Sequence, residues 1–146
     1  MANTTAYSFK NVQATLDGQT VTGFFDSGEV LTINRNADKG TMLIGADGSA
    51  LFSVSTDAAA QVTLRLKHTS PTHRLLNEKL KRQQARGGAA RGFPFDFVDT
   101  SSGEGGNGEQ FFIMQAPSVS KGMEASVREW VLITGQWNDL IPTGGE

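Results

Sequence analysis

Apolar residues along this chain recur chiefly at every second position, the period of a strand with one covered face. Residues 61–68 show it most cleanly: Val62, Leu64 and Leu66 alternate with Thr63, Arg65 and Lys67. In residues 5–15, Tyr7, Phe9 and Val12 lead to Leu16 with a slip near Asn11, which predicts a strand with a bulge. Asp17-Gly18 is a hairpin signal, so residues 19–25 are expected as the partner strand. Asp26-Ser27-Gly28 turns the chain again. In residues 29–34, Val30 and Thr32 alternate with Leu31 and Ile33, a strand with both faces partly covered. Residues 49–56 read as a strand carrying Leu51, Phe52 and Val54, and residues 93–98 as one carrying Phe93, Phe95 and Phe97. Residues 110–115 form a short apolar strand, and residues 117–122 a break. A long strand is expected over 124–137, with Val127, Val131 and Ile133 on one face and Trp130 and Leu132 on the other. A strand apolar on both faces is buried on both or lies in an interface. The tail from residue 138 reads as loop.

One stretch has a helical pattern. Ser70 suits an N-cap and Pro71 a first helical position, where its missing N–H costs nothing. Leu75, Leu76 and Leu80 make a narrow apolar stripe, and Gly87-Gly88 ends the run, so a helix is expected over about residues 71–86. So thin a stripe packs on the flank of a sheet and leaves a basic face outward. Residues 35–48 read as an extended loop that contains an apolar patch, Thr41, Met42, Leu43 and Ile44, before the turn Gly45-Ala46-Asp47-Gly48. Residues 100–108 read as a flexible, glycine-rich loop. There is no internal repeat. Eight or so strands, one helix and closely spaced turns predict a mainly β fold, an antiparallel β-barrel or sandwich with one flanking α-helix.

Composition supports this picture. The 146 residues suit a single domain over 1–146, and 17 glycines with only 19% charged residues suit turn-rich β structure. The net charge of −2 argues against a generically basic nucleic-acid binder. The charge is segregated, however. Between Arg65 and Arg91 eight basic residues meet only Glu78, so this segment carries +7 and the rest of the chain −9. Such a basic face is either solvated or complementary to an acidic surface on a neighbour. The absence of cysteine removes disulfides, thiol nucleophiles and cysteine-based zinc sites. The first residues have neither a basic nor an apolar region, so no signal peptide is expected. No apolar run exceeds four residues, so no membrane anchor is expected.

Little catalytic chemistry is available. His68 and His73 lack an acidic partner nearby in sequence and read as surface histidines. No serine sits in a Gly-x-Ser-x-Gly elbow. The glycines from Gly103 to Gly108 precede a strand, whereas a phosphate cradle needs helix N–H groups behind it. The turn at residues 45–49 lacks the spaced carboxylates of a calcium loop. No enzyme activity, metal or cofactor is expected.

Two stretches carry a family resemblance. The first is Gly45-Ala46-Asp47-Gly48-Ser49, a strand, a polar turn and Gln61-Val62-Thr63-Leu64-Arg65-Leu66. The second is Thr69-Ser70-Pro71-Thr72-His73-x-Leu75, opening the helix. With Tyr7-x-Phe9-x-x-Val12 these resemble the tail tube proteins of contractile-tailed bacteriophages, to which the bacterial secretion-system tube protein is similar. His73 stands where that pattern has Asn. The resemblance implies a structural virion protein whose protomers form hexameric rings, stacked into a tail tube that conducts DNA during ejection. It implies as partners further copies of the chain, a tail sheath, and tape measure and baseplate proteins. Viral DNA would pass through the lumen without specific binding, helped by acids that repel its phosphates. It implies assembly in the bacterial host cytoplasm and residence in the phage tail.

On this reading Thr41, Met42, Leu43 and Ile44 would contact the next ring, unless Met42 and Ile44 fold back onto their own core. Arg74, Lys79, Lys81, Arg82 and Arg86 would face outward, toward a sheath or a neighbouring subunit, unless they are merely solvated. One alternative is a monomeric β-sandwich binding module using Trp130, Trp137 or Tyr7 as platforms. Another is a different tail part, a terminator or baseplate component.

Overall fold

The computed structural model describes residues 8–25, 28–119, 121–123 and 126–140. Its centre is the segment with the cleanest alternation: in strand Ala60–Lys67, Val62, Leu64 and Leu66 are fully buried. In chain order the strands are β1 (Val12–Leu16), β2 (Gln19–Thr20), β3 (Leu31–Arg35), β4 (Gly40–Ile44), β5 (Ala50–Val54), β6 (Ala60–Lys67), β7 (Phe93–Asp99), β8 (Gly105–Gln115), β9 (Val127–Thr134) and β10 (Asn138–Leu140), with helix α1 (Thr72–Arg86) between β6 and β7. Eight strands form one sheet in the order β2-β1-β7-β8-β9-β6-β3, with β10 on β8, and all its ladders are antiparallel. Among the described residues, strands β4 and β5 pair only with each other.

The sheet coils around one core, a sandwich-like arrangement and not a closed barrel. Leu16, Phe95, Phe111, Trp130 and Leu132 meet the β6 leucines there. Leu76 of α1 is fully buried in that core, with Leu75 and Leu80 packed beside it. The chain after β2 laces the two ends of the sheet together. Val21 N–H donates to Ala14 of β1 at 2.8 Å, Lys67 N–H to Gly23 at 2.8 Å and Phe25 N–H to Arg65 at 3.0 Å. The expected partner strand over 19–25 therefore pairs with β1 for two residues only. It turns at Gly23, whose φ of +76° few other residues accept, and crosses to β6.

Gln83 ties the helix to the sheet. Its amide donates to the Ile113 carbonyl at 3.0 Å and accepts from the Ile113 N–H at 2.9 Å. This side chain acts as a short substitute strand where the β8–β9 register shifts between Ile113 and Gln115. Ser70 also works as expected near the helix start, its hydroxyl accepting from Thr72 N–H at 3.2 Å, although the cap position itself falls on Pro71.

Five expected segments differ. Residues 35–48 are not a loop throughout: they contain β4, joined to β5 by a turn in which Asp47 accepts from both the N–H and the hydroxyl of Ser49. In residues 100–108 the turn closes by Glu104, and the glycines from Gly105 onward are inside β8. The long strand over 124–137 is β9, from Val127 to Thr134, and the tail forms β10 where a loop was expected. The slip near Asn11 is a short 3-10 turn, Phe9–Asn11, ahead of β1. Tyr7, Asp26, Ser27, Glu124, Ala125 and residues 141–146 lie outside the described residues.

The glycine-rich start of β8 has a packing cause. The Trp137 ring lies against Gly106, so close that a Cβ there would sit 2.3 Å from the ring. Trp137 stacks on Phe97 with centroids 6.1 Å apart and meets Phe111 edge-on at 6.0 Å. Gly106 is the gap in the strand surface that admits the indole.

Candidate assembly interface

The hairpin β4–β5 is apolar on both faces and covered on neither. Its register pairs Met42 with Phe52, Leu43 with Leu51 and Ile44 with Ala50. Strand alternation then puts Met42, Ile44, Phe52 and Val54 on one face and Leu43 and Leu51 on the other. Their exposures are 59%, 67%, 54% and 74% on the first face and 66% and 64% on the second. Met42 and Ile44 thus do not fold back onto the core. The broader face is continuous because Phe52 lies over Gly40, where a Cβ would sit 2.2 Å from the ring. Asp47 holds the far turn and is exposed; the Ser49 hydroxyl and N–H draw its carboxyl below the ordinary range. Ser55 N–H donates to Lys39 at 2.8 Å and closes the near end. A two-stranded hairpin is marginal alone, so an uncovered apolar patch of this kind is a candidate contact site. Leu51, Phe52 and Val54 were legible as strand residues but not as part of the patch; the signal was a second unbroken apolar run across the turn.

The basic residues of α1 do not form one uniform face. Arg74, Lys81, Arg82 and Arg86 are exposed. Lys79 is turned inward, paired with the Asp17 carboxylate and lying 5.9 Å from the centre of the Phe93 ring. It belongs to a cleft of about 270 Å³ between α1 and the start of β7, lined also by Arg82, Gln83, Arg86 and Arg91.

The remaining candidates are structural. His73 is not a surface histidine in function: its Nδ1 accepts from the Trp130 indole at 3.0 Å, and its Nε2 lies 2.7 Å from the Lys67 carbonyl. Trp130 and Trp137 are 1% and 2% exposed, so neither is a platform for a ligand. Among the described residues no three His, Asp or Glu side chains gather as a metal would need, and no helix is long and apolar enough to cross a membrane.

These features define a class: a mainly β antiparallel domain with one flanking helix and an uncovered apolar hairpin. The sequence profile of the family described as Bacteriophage PhiTE tail tube protein matches residues 4–141, and the chain belongs to that family. No curated protein sequence matches the chain. Among solved structures it is similar to the anti-feeding prophage cap, a tube-terminating cap, with 17% identity and a TM-score of 0.66 over 95% of this chain and 93% of that one. It is also similar to a chain in the PVC sheath/tube terminator of an extracellular contractile injection system in its extended state, at 12% identity and a TM-score of 0.60, covering 96% of this chain and 100% of that one. A chain in the PVC sheath-tube complex follows, at 12% identity and a TM-score of 0.55, over 89% and 88% of the two chains. At these identities the likeness is one of fold.

Proposed function

We propose that this chain is a structural subunit that assembles into stacked hexameric rings, forming a phage tail tube through which DNA is ejected. The observation that carries the reading is the two-faced apolar hairpin. A one-sided patch needs one covering surface, whereas β4–β5 needs two, as it would between a subunit of the next ring and that subunit's neighbour. Burying one large apolar side chain is worth about 1.5–3 kcal/mol, so this hairpin supplies a stacking contact worth several such terms. Family membership supports the tube, and the fold shared with sheath/tube assemblies supports a surrounding sheath.

On this reading Thr41, Met42, Leu43 and Ile44 contact the adjacent ring together with Leu51, Phe52 and Val54. Arg74, Lys81, Arg82 and Arg86 face outward to the sheath, and Lys79 does not. The subunit needs no catalytic group and no cofactor. Its assembly takes place in the host cytoplasm, with tape measure and baseplate proteins as templates. Negative-stain electron microscopy of the purified chain across a concentration series tests this: stacked hollow tubes are expected. Monomers that persist at high concentration and with baseplate added would overturn it.

A second reading is a tube terminator. It is favoured by the TM-scores of 0.66 and 0.60 to a cap and a terminator assembly, against 0.55 to a sheath-tube complex. Single rings that bind tube ends and do not stack would select it.

A further inference from the structure

We infer that the cleft between α1 and the start of β7 is a docking site for an acidic segment of a partner protein, held by Arg82, Arg86 and Arg91. The inference rests on the reading of the chain as an assembly subunit.

The cleft is built and not incidental. Asp17, in the turn between β1 and β2, donates its N–H to the Pro94 carbonyl at 2.8 Å, which fixes one wall to β7. Its carboxylate, the only acid lining the cleft among the described residues, is occupied by Lys79. The Gln83 amide is committed at both ends to Ile113. Three guanidiniums remain, and among the described residues none has a carboxylate within ion-pair distance. Arg82 and Arg86 stand one turn apart on the same helix face, where like charges repel. The negative end of the helix dipole favours Arg86, but it does not account for Arg91, which lies beyond the helix. Three cations lining one cleft whose carboxylate is already paired suit a bound anion.

The lining narrows the kind of anion. Guanidinium forks match planar carboxylates through paired hydrogen bonds, and phosphates likewise. The one aromatic ring at the cleft, Phe93, is 5% exposed and already faced by Lys79, so no base can stack there. The chain outside residues 65–91 carries −9, which disfavours a long polyanion such as DNA. At about 270 Å³ the cleft takes a few carboxylate side chains from a protein strand or helix, not a folded ligand.

The test uses the full chain and calorimetric titration with a hexaglutamate peptide at low and high salt. Hexaglutamine, inorganic phosphate and a short DNA duplex are the comparison probes. Hexaglutamate is expected to bind, hexaglutamine not to, and the Arg82→Gln/Arg86→Gln/Arg91→Gln variant to lose at least tenfold in affinity with an unchanged melting curve. A control that removes the same charge elsewhere, Lys10→Gln/Lys67→Gln/Lys121→Gln, is expected to retain binding. Equal loss in the control would show diffuse attraction and overturn the site. So would equal binding of phosphate or DNA, or no binding of hexaglutamate. Negative-stain images of the wild-type chain, set beside its own hexaglutamate binding, separate this from the assembly reading. Tubes without peptide binding would end the docking site alone, and peptide binding without tubes would end the tube alone.

Discussion

The Trp130 indole N–H donates to Nδ1 of His73 at 3.0 Å, and the other ring nitrogen of His73 faces the Lys67 carbonyl at 2.7 Å. With Nδ1 accepting, the ring proton sits on Nε2 and is donated to Lys67. One imidazole thus joins α1 to β9 and to the end of β6. Trp130 is almost fully buried, so its N–H has no water to turn to. His73→Ala is expected to cost about 1–3 kcal/mol, the penalty of a buried donor left alone. His73→Asn, which keeps an acceptor on a shorter side chain, should lose less. Urea midpoints in the order wild type, Asn, Ala would bear this out, and an unchanged midpoint in the Ala variant would refute it.

Asp139 anchors β10. Its carboxylate accepts from Arg35 at 2.7 Å and from the Trp137 indole at 2.6 Å, while Arg35 also reaches the carbonyls of Ala58 and Trp137. Burial opposes its charge, but the hydrogen bonds from Arg35 and Trp137 and the charges of Arg35 and Lys39 outweigh it, so the pKa is lowered. A lowered folded pKa means that the stabilisation is complete above the ordinary carboxylate range and is lost as the pH falls through the folded value. The pair is half exposed, so the effect is small and weakened by salt. Asp99, drawn down by Ser101, and Asp47 titrate in the same direction, so the total acid response belongs to several groups. The specific expectation is that Asp139→Asn melts below wild type at pH 7 and that the gap closes toward pH 3. A gap that does not depend on pH would assign the loss to packing.

Gly106 gives way to the Trp137 ring and to the Asn138 carbonyl, which a Cβ would approach to 2.3 and 2.8 Å. Gly106→Ala must therefore move an indole that stacks on Phe97 and abuts Phe111. Overpacking of this kind costs about 1–3 kcal/mol. Trp137→Leu/Gly106→Ala should recover part of the loss relative to the sum of the single variants, because the indole is what the methyl displaces. Strict additivity in denaturant melts would show that Gly106 serves the backbone instead.

The alternation at Val62, Leu64 and Leu66 and the stripe of α1 made the core strand and the helix legible, because each follows from local period alone. The glycines at 105–108 misled, because composition reports flexibility while the cause, Trp137, arrives from thirty residues away. The strand β4 was hidden for a related reason: an apolar stretch flanked by polar residues and glycine has no covered face to give it a period. Its pairing with β5 depends on the Asp47 turn, and its meaning as a patch depends on the exposure of both faces. The Lys79–Asp17 pair, which turns one basic residue away from the rest, joins residues distant in sequence and leaves no local trace.

The hairpin is where fold and assembly separate. Strands β4 and β5 ladder only with each other, and their six large apolar side chains contribute little to the core. Phe52→Asp and Leu43→Asp, one on each face, should therefore leave the melting temperature of the unassembled chain nearly unchanged, since exposed substitutions usually fall within about 0.5 kcal/mol. In an assembly each would bury an unpaired carboxylate, which costs several kcal/mol per contact. Each variant alone is expected to abolish stacking in negative-stain images while remaining folded by circular dichroism. If only Phe52→Asp does so, the contact is one-sided and the hairpin lies on a surface instead of between two. If both variants stack normally, the hairpin is not the contact, and the rings must meet through another part of the fold.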